Sequence, residues 1–164
     1  TYVKIKGIGY MIAGFLIYSI SIRYIAYSNS NFSQILFSNL SIINIISFGL
    51  ILFGLYKNKY ISGIKLSMIG IVLNQIPTIA NGGRMPVSEK ALERLGMIDQ
   101  LRVLQEDIVI THTLIASSTK FSFLSDIIPV RYFLPKVISI GDIALSIGVF
   151  LMIQKFMTSK DVLQ

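Results

Sequence analysis

Residues 35–56 read ILFSNLSIINIISFGLILFGLY and contain no charged side chain. A helix that crosses the hydrocarbon core of a bilayer needs about 20 mostly apolar residues, and this stretch is long enough. Three further stretches of similar character lie at residues 7–26, 61–80 and 137–157. The sequence therefore predicts an all-α fold, a polytopic transmembrane helix bundle with about four spanning helices in a single integral membrane domain over residues 1–164.

The composition of the chain supports this class. Of its 164 residues, 53% are hydrophobic and 14% are charged, and the mean hydropathy is +0.69. A soluble domain carries about 25% charged residues, and a small domain leaves much of its surface exposed to water. An ordinary soluble domain is excluded, and so is a disordered chain, which needs low hydrophobicity and high charge.

The counts of metal-ligating residues are low. The chain has no cysteine and one histidine. Disulfides, thiolate metal sites and imidazole-rich metal sites within one chain are therefore excluded, and we predict no metal site. The sequence contains no phosphate loop, dinucleotide fingerprint or nucleophile elbow, so catalytic residues and cofactors stay unknown.

Residues 81–136 form a segment with a different pattern. Asn81 to Pro86 predict a turn, because Asn and Gly accept positive φ. After Ser88, apolar residues recur every three or four positions, which predicts an amphipathic helix that can break at Gly96. The apolar run over 108–134 is interrupted, so we expect it to lie on the membrane surface or to form a re-entrant loop.

The positive charges predict an orientation. The short segments on one side of the predicted helices contain seven lysines, and the opposite short segment contains only Arg23. Because cytoplasmic segments are rich in Lys and Arg, we predict that both ends of the chain are cytoplasmic and that residues 81–136 are extracytoplasmic. The net charge of +7 then reflects orientation, and no basic patch indicates a nucleic-acid partner.

Small and polar residues follow one face of three predicted helices. Such residues favour helix contacts in lipid, so these faces are predicted to meet inside the bundle. They comprise Ser41, Asn44 and Ser47 in the second helix, Gly63, Ser67, Gly70, Asn74, Thr78 and Asn81 in the third, and Ser139, Gly141, Asp142, Ser146 and Gly148 in the fourth.

Five regions of the chain send polar residues to the same outer level of the bundle. Asp142 is the sharpest candidate, because an ionisable residue inside a spanning helix indicates a functional site by default; an equal alternative is that it caps the helix or pairs with a loop arginine. The predicted ligand-binding set is Asn74, Gln75, Asn81, Gly82, Gly83, Arg84, His112, Asp126 and Asp142.

Each remaining candidate also has a structural alternative. Arg84 follows two glycines and could clamp a carboxylate or phosphate, or the Gly-Gly pair could form a plain turn. His112 could transfer a proton, although a hydrogen bond within the bundle is the favoured use. Asp126 is expected to cap a short helix.

Two strings carry a family resemblance. Asn-Gly-Gly-Arg-Met-Pro-Val over residues 81–87 and Ile-Ser-Ile-Gly-Asp-Ile over residues 138–143, with His112 and Ser-Asp-Ile-Ile-Pro over 125–129 between them, resemble an uncharacterised family of small integral membrane proteins of clostridia and related bacteria. The resemblance covers residues 74–148 and implies a bacterial cytoplasmic membrane location. It also implies that Asn81, Gly82, Gly83, Arg84, Asp126 and Asp142 belong together. Family members often have another apolar segment near the N-terminus, so the first helix here can correspond to the family's second.

Three functions are compatible with these patterns. The favoured one is a non-catalytic subunit or ligand- or lipid-binding module of a bacterial membrane complex, with the lipid bilayer and other membrane subunits, or further copies of the chain, as partners. The second is a membrane enzyme that acts on an anionic or lipid substrate at the outer face. The third is a small proton-linked transporter, which would have to oligomerise because four helices are few.

Overall fold

The computed structural model describes residues 5–132 and 134–158. These residues contain seven α-helices: α1 Ile8–Tyr27, α2 Asn31–Ser38, α3 Leu40–Tyr56, α4 Ile64–Ala80, α5 Glu89–Leu95, α6 Ile98–Gln105 and α7 Ile140–Thr158. They also contain a single 3-10 turn at Ser122–Leu124 and four short strands: β1 Met85–Val87, β2 His112–Leu114, β3 Ile128–Val130 and β4 Lys136–Ile138. The protein is therefore mostly helical, as predicted.

Four apolar helices pack against one another in chain order. α1 packs on α3, α3 on α4, and α4 on α7. α1 and α7 are long and apolar enough to cross a membrane, and α2 with α3 would add a third span if the bent pair counts as one. α4 has 17 residues. Length and composition thus support two or three spans, and the predicted number of four is not confirmed.

The apolar stretch at 35–56 is divided between two helices. α2 begins four residues earlier than predicted, at Asn31, where the Ser30 side chain accepts a hydrogen bond from the Ser33 amide. It ends at Ser38, and the Nδ2 of the following residue, Asn39, donates to the Ile35 carbonyl at 2.8 Å. Side chains that bond to nearby carbonyls compete with the helix ladder, and α3 leaves this point at 68° to α2. The predicted continuous helix is therefore corrected to a bent pair.

The small-residue faces of α4 and α7 meet as predicted. A Cβ added at Gly70 would lie 2.5 Å from the Leu145 nitrogen and 2.6 Å from the Gly141 carbonyl oxygen, and Gly148 lies against Ser67 and Gly63 in the same way. Glycine allows the two backbones this close approach, which increases their dispersion contact. Ser146 is the exception, because its side chain is exposed.

The segment 81–136 folds around a small apolar core of its own. Its amphipathic part is broken at Gly96, which has φ +70°, into α5 and α6. Leu92, Leu101 and Leu104 from these helices pack with Val87 and Val137. α5 and α6 contribute the three leucines of this core, and β1 and β4 contribute the two valines.

The strands in this segment were not predicted. β1 pairs with β2 in parallel, and β3 pairs with β4 antiparallel. Val137 and Ile138 lie in β4, so α7 begins at Ile140 and not at the predicted residue 137. Three-residue strands give too little alternation for a sequence pattern to reveal.

Candidate functional site

A cavity of about 370 Å³ lies where α1, α3, α4 and α7 meet the segment 81–136. We call it the polar cavity, because its lining includes ten residues with polar side chains: Tyr18, Asn44, Asn74, Gln75, Thr78, Thr111, His112, Asp126, Lys136 and Asp142. Ligand sites are typically concave, with volumes of about 300–1,000 Å³ and a few convergent polar groups. This cavity meets both conditions.

Asp142 fixes one wall of the polar cavity. Its Oδ2 accepts from the Ser139 amide at 3.1 Å, while the Ser139 hydroxyl accepts from the Asp142 amide at 3.0 Å. This reciprocal pair is a capping box at the start of α7. Its Oδ1 accepts from Asn74 Nδ2 at 2.8 Å, and Asn74 Oδ1 accepts from the Ser139 hydroxyl at 2.6 Å. Asp142 therefore acts as a helix cap and also joins α7 to α4.

His112 and Asp126 lie together on the opposite wall. His112 Nε2 is 3.9 Å from Asp126 Oδ2, and its Nδ1 is 2.8 Å from the Thr111 hydroxyl. Burial raises the pKa of Asp126 to about 7, helped by the charge of Asp142 and opposed by that of Lys136. Burial also lowers the pKa of His112. At neutral pH Asp126 is therefore partly protonated.

The expected helix-capping role of Asp126 is wrong. Its amide donates to the Pro86 carbonyl at 3.0 Å, and its carbonyl accepts from the Ser88 amide at 2.8 Å. These backbone bonds form an isolated bridge beside β1, and they turn the carboxyl group toward the cavity. The backbone contact with β1 therefore positions the Asp126 side chain. The sequence of residues 124–129 does not predict this contact.

Two buried oxygens on the polar cavity have no hydrogen-bond partner among the described residues. They are Gln75 Oε1 and Asp126 Oδ1. A buried polar atom left without a partner costs about 1–3 kcal/mol, so such atoms are few in native proteins. Both atoms belong to residues that line the same cavity. The two other unpartnered buried oxygens of the described residues, Ser47 Oγ and Ser67 Oγ, belong to residues outside the polar cavity. The presence of two such atoms in the lining of one cavity is the strongest indication of a ligand in the described part of the chain.

Arg84 does not line the polar cavity. Its guanidinium donates to the carbonyls of Val109 at 2.7 Å and His112 at 2.7 Å, and to the Asp107 carboxylate at 2.6 Å. The side chain is largely buried. Arg84 therefore holds residues 107–112 in place and positions the backbone of His112, and its Nε and Nη2 donors are used by protein acceptors.

The residues that precede Arg84 also support the loops. Asn81 Nδ2 donates to the carbonyls of Pro77 and Lys120, and its Oδ1 accepts from the Lys120 amide. Gly83 has φ +84°, and a Cβ there would lie 2.5 Å from Leu40. Gly82 is exposed, with φ +74°. The structure thus brings Asn74, Gln75, His112, Asp126 and Asp142 together and places Asn81, Gly82, Gly83 and Arg84 outside the polar cavity.

Five of the ten polar cavity residues were missing from the predicted set. Asn44 and Thr78 were found only as members of small-residue faces, although Asn44 is fully buried and donates to the carbonyls of Leu40 and Gly83. No sequence pattern indicated that Tyr18, Thr111 or Lys136 would line the cavity. Lys136 lies in a short strand, which had no recognisable pattern. The described residues contain no cluster of three metal-ligating side chains.

We expect the stability of the protein to depend on the protonation of Asp126. The native pKa of about 7 exceeds the ordinary value of 3.8, so the native state binds more protons between these values. This contribution to stability is fully present below pH 3.8 and is lost as pH rises through 7. Asp126→Asn should abolish this loss, so that the variant exceeds the wild type in melting temperature at pH 8.

The measurement is a set of thermal melts in detergent from pH 5 to 8. Asp99→Asn, which changes an exposed carboxylate on α6, is the control and should follow the wild type. Equal pH slopes for wild type and Asp126→Asn would contradict the assignment. The variant is compared with the wild type because His112 adds a pH dependence of its own. Its lowered pKa reduces stability as pH falls below the ordinary value of 6.5.

The fold and the site define a class of protein. It is a mostly helical protein with two or three apolar helices long enough to cross a membrane, and a polar cavity lies between those helices and a mixed helix–strand segment.

The chain belongs to the family described as "Family of unknown function (DUF5317)", whose model matches residues 2–154. It is 40% identical over 98 residues to an uncharacterized protein of Thermotoga maritima, a match that covers 57% of this chain. The chain spans about half the length of that curated relative, 52%. No solved structure matches the chain. The resemblance to an uncharacterised family is confirmed, and the two signature strings stay a prediction.

Proposed function

We propose that this chain is an integral protein of a bacterial cytoplasmic membrane that binds a small polar molecule in the polar cavity. It would act as a non-catalytic binding module within a membrane complex. The observation that carries the proposal is the pair of unpartnered buried oxygens, Gln75 Oε1 and Asp126 Oδ1, on one cavity. Gln75 Oε1 accepts a hydrogen bond, and the Asp126 carboxyl accepts when ionised and donates when protonated, so the pair fits a ligand with hydroxyl or carboxyl groups.

The rigidity of the opposite wall supports a binding role. Asp142, Asn74 and Ser139 are held by one another, so their positions do not depend on a ligand. A preformed wall reduces the ordering cost that a ligand must overcome. Membership in this family does not indicate an activity, so the proposed binding function is based on the geometry of the polar cavity.

The distribution of charges supports the membrane location and the orientation. Lys57 lies 4.9 Å from the ring of Phe53 and Lys59 4.1 Å from the ring of Tyr56, at the end of α3 farthest from the segment 81–136. Lysine and tyrosine are typical of the membrane–water interface. Of the seven lysines predicted to be cytoplasmic, Lys4 and Lys160 fall outside the described residues. The exposed apolar faces of α1 and α7 would face lipid or another subunit.

Cysteine labelling tests the orientation directly, because the chain has no cysteine of its own. Ser118, in the segment 81–136, and Ser62, between α3 and α4, are both exposed, so the same substitution can be made at both ends. We expect Ser118→Cys to react with a membrane-impermeant maleimide in intact cells. Ser62→Cys should react only after the cells are permeabilised, and the reverse pattern would overturn the orientation.

Ligand binding is tested by removing the unpartnered amide. Gln75→Leu keeps the side-chain size and deletes Oε1, so we expect loss of thermal stabilisation by the polyols and hydroxy acids that stabilise the wild type. An affinity drop of about tenfold or more corresponds to one lost hydrogen bond in a buried site. Gln154→Leu, at an exposed position of α7, is the matched control. If none of these compounds stabilises the wild type, the proposal fails.

Proton-linked transport is a second candidate, favoured by the Asp126–His112 pair. The pKa of Asp126 is about 7 and a second titratable side chain, His112, lies 3.9 Å away, and perturbed titratable groups of this kind cluster at functional sites. In liposomes, such a protein would move protons with its substrate, and Asp126→Asn would stop that movement. Binding without flux in the wild type leaves the binding module as the function.

A further inference from the structure

A second cavity of about 350 Å³ lies inside the segment 81–136. Most of its wall is apolar and comes from α5, α6 and the residues that follow them: Leu92, Met97, Val103, Leu104, Val109 and Val137. We call it the apolar cavity. It lies beside the apolar core of this segment, because its wall includes the buried core side chains of Leu92 and Leu104. The space is thus suited to a hydrocarbon chain.

The two cavities share three residues, His112, Asp126 and Lys136. Asp126 is only 8% exposed, and its unpartnered Oδ1 is therefore a buried polar atom at the junction. Lys136 is exposed at the same junction and lies near enough to His112 and Asp126 to affect both electrostatically. Each of the three side chains can donate a hydrogen bond, Asp126 only when its carboxyl is protonated, so the junction suits a head group that accepts hydrogen bonds.

We propose that the ligand of this protein is an amphipathic monocarboxylic acid whose head lies at the junction beside His112, Asp126 and Lys136 and whose chain occupies the apolar cavity. Lys136 supplies the positive charge for the carboxylate. The apolar wall would bind the hydrocarbon chain of the acid, since the transfer of each methylene group out of water is favourable. This inference rests on the proposed binding function and names the chemical class of the ligand.

The electrostatics of the junction favour a carboxylate over a cationic head. The native pKa of Asp126 lies near 7, so this carboxyl is largely protonated in mildly acidic conditions and can donate to a carboxylate oxygen. The lowered pKa of His112 leaves its ring neutral, and a neutral ring still donates through one nitrogen. The Asp142 carboxylate also acts on His112 and Asp126, but its two oxygens already accept from Asn74 and the Ser139 amide. Lys136 is exposed at the junction and would repel a cationic head.

The test is photolabelling with decanoic acid that carries a diazirine at the end of its chain. The protein is used in lipid nanodiscs, and labelled peptides are identified by mass spectrometry. We expect labels within residues 92–109 and their displacement by excess unmodified decanoic acid. Decanol and decyltrimethylammonium, added as competitors at the same concentration, should displace less.

A substitution that fills the apolar cavity provides the matched comparison. Val103→Phe should reduce the labelling of residues 92–109 by about tenfold or more, because the added ring takes the space of the chain. Val149→Phe makes the same change on α7, where the side chain is 37% exposed, and should leave labelling unchanged. If Val103→Phe does not fold by circular dichroism, Val109→Phe replaces it.

The outcomes separate this inference from the proposed function. Labels confined to α1 and α7, or equal labelling in both phenylalanine variants, would show that the acid only partitions into lipid and would overturn the inference. Equal displacement by the alcohol and the ammonium compound would overturn the carboxylate head. In either case, stabilisation by small polar compounds that Gln75→Leu abolishes would still support the proposed function.

Discussion

Replacing Gly70 by leucine is expected to separate α4 from α7 and to destabilise the protein more than any other single change considered. A Cβ at this position would meet the backbone of Leu145 at 2.5 Å and the carbonyl of Gly141 at 2.6 Å. Because these atoms are backbone, no side-chain rotation can relieve the clash. Overpacking costs about 1–3 kcal/mol where side chains can adjust, and a rigid contact is expected to reach or exceed the upper value.

The effect reaches the site because α4 and α7 carry its wall. Asn74 and Asp142 are one turn from the glycine contact, and their hydrogen bond of 2.8 Å joins the same two helices. Gly70→Leu should therefore lower the melting temperature measured by circular dichroism in detergent and also weaken ligand stabilisation. Gly49→Leu is the control, because a Cβ at Gly49 has no neighbour within 4 Å. Similar melting temperatures for both variants would refute the close-packing account.

Arg84→Met is expected to release residues 107–112 from the rest of the segment. The guanidinium is bonded to the carbonyls of Val109 and His112 and to Asp107. Loss of these donors leaves two carbonyls without their partners, and we expect a destabilisation of about 3 kcal/mol. The contribution of the exposed Asp107 carboxylate is small, since exposed ion pairs are weak. Lysine should not restore stability, because it lacks the planar fork that reaches several acceptors.

The backbone of the released loop makes proteolysis a sensitive measurement. Asp107 has φ +55°, a conformation that costs energy in a residue other than glycine and that persists because its surroundings hold it. We expect a protease of broad specificity to cut Arg84→Met near residues 106–111 at least several times faster than the wild type. Arg102→Met changes an exposed arginine on α6 and should be cut at the wild-type rate. Equal rates for the two variants would show that Arg84 does not hold this loop.

Some features of the site follow from local sequence alone. Asp142 lies three residues after Ser139, and this spacing allows the reciprocal cap that starts α7. Glycines at intervals along the third and fourth apolar stretches predict that these helices approach closely, as they do. Gly96 predicts the break between α5 and α6. Each of these features involves residues that are close in sequence or that share one helix face. The spacing of residues along the chain is therefore enough to predict it.

Other features required the folded chain. The bend at Asn39 accompanies the contact of Leu40 with Gly83, two residues that lie far apart in sequence. Arg84 looked available for an anionic ligand, but its acceptors lie in residues 107–112, and their carbonyls carry no sequence signal. Lys136 reaches the junction only because β4 pairs with β3.

The helical, apolar character of the protein, its close-packed helix faces and five of the residues on the polar cavity could be predicted from sequence patterns. This is because burial in an apolar environment imposes a local composition and a local period. The folded chain was needed to show which polar residues share the cavity, that a second cavity adjoins it, and which buried polar atoms lack a partner. These properties depend on distances between residues from different elements, and no pattern along one segment records them.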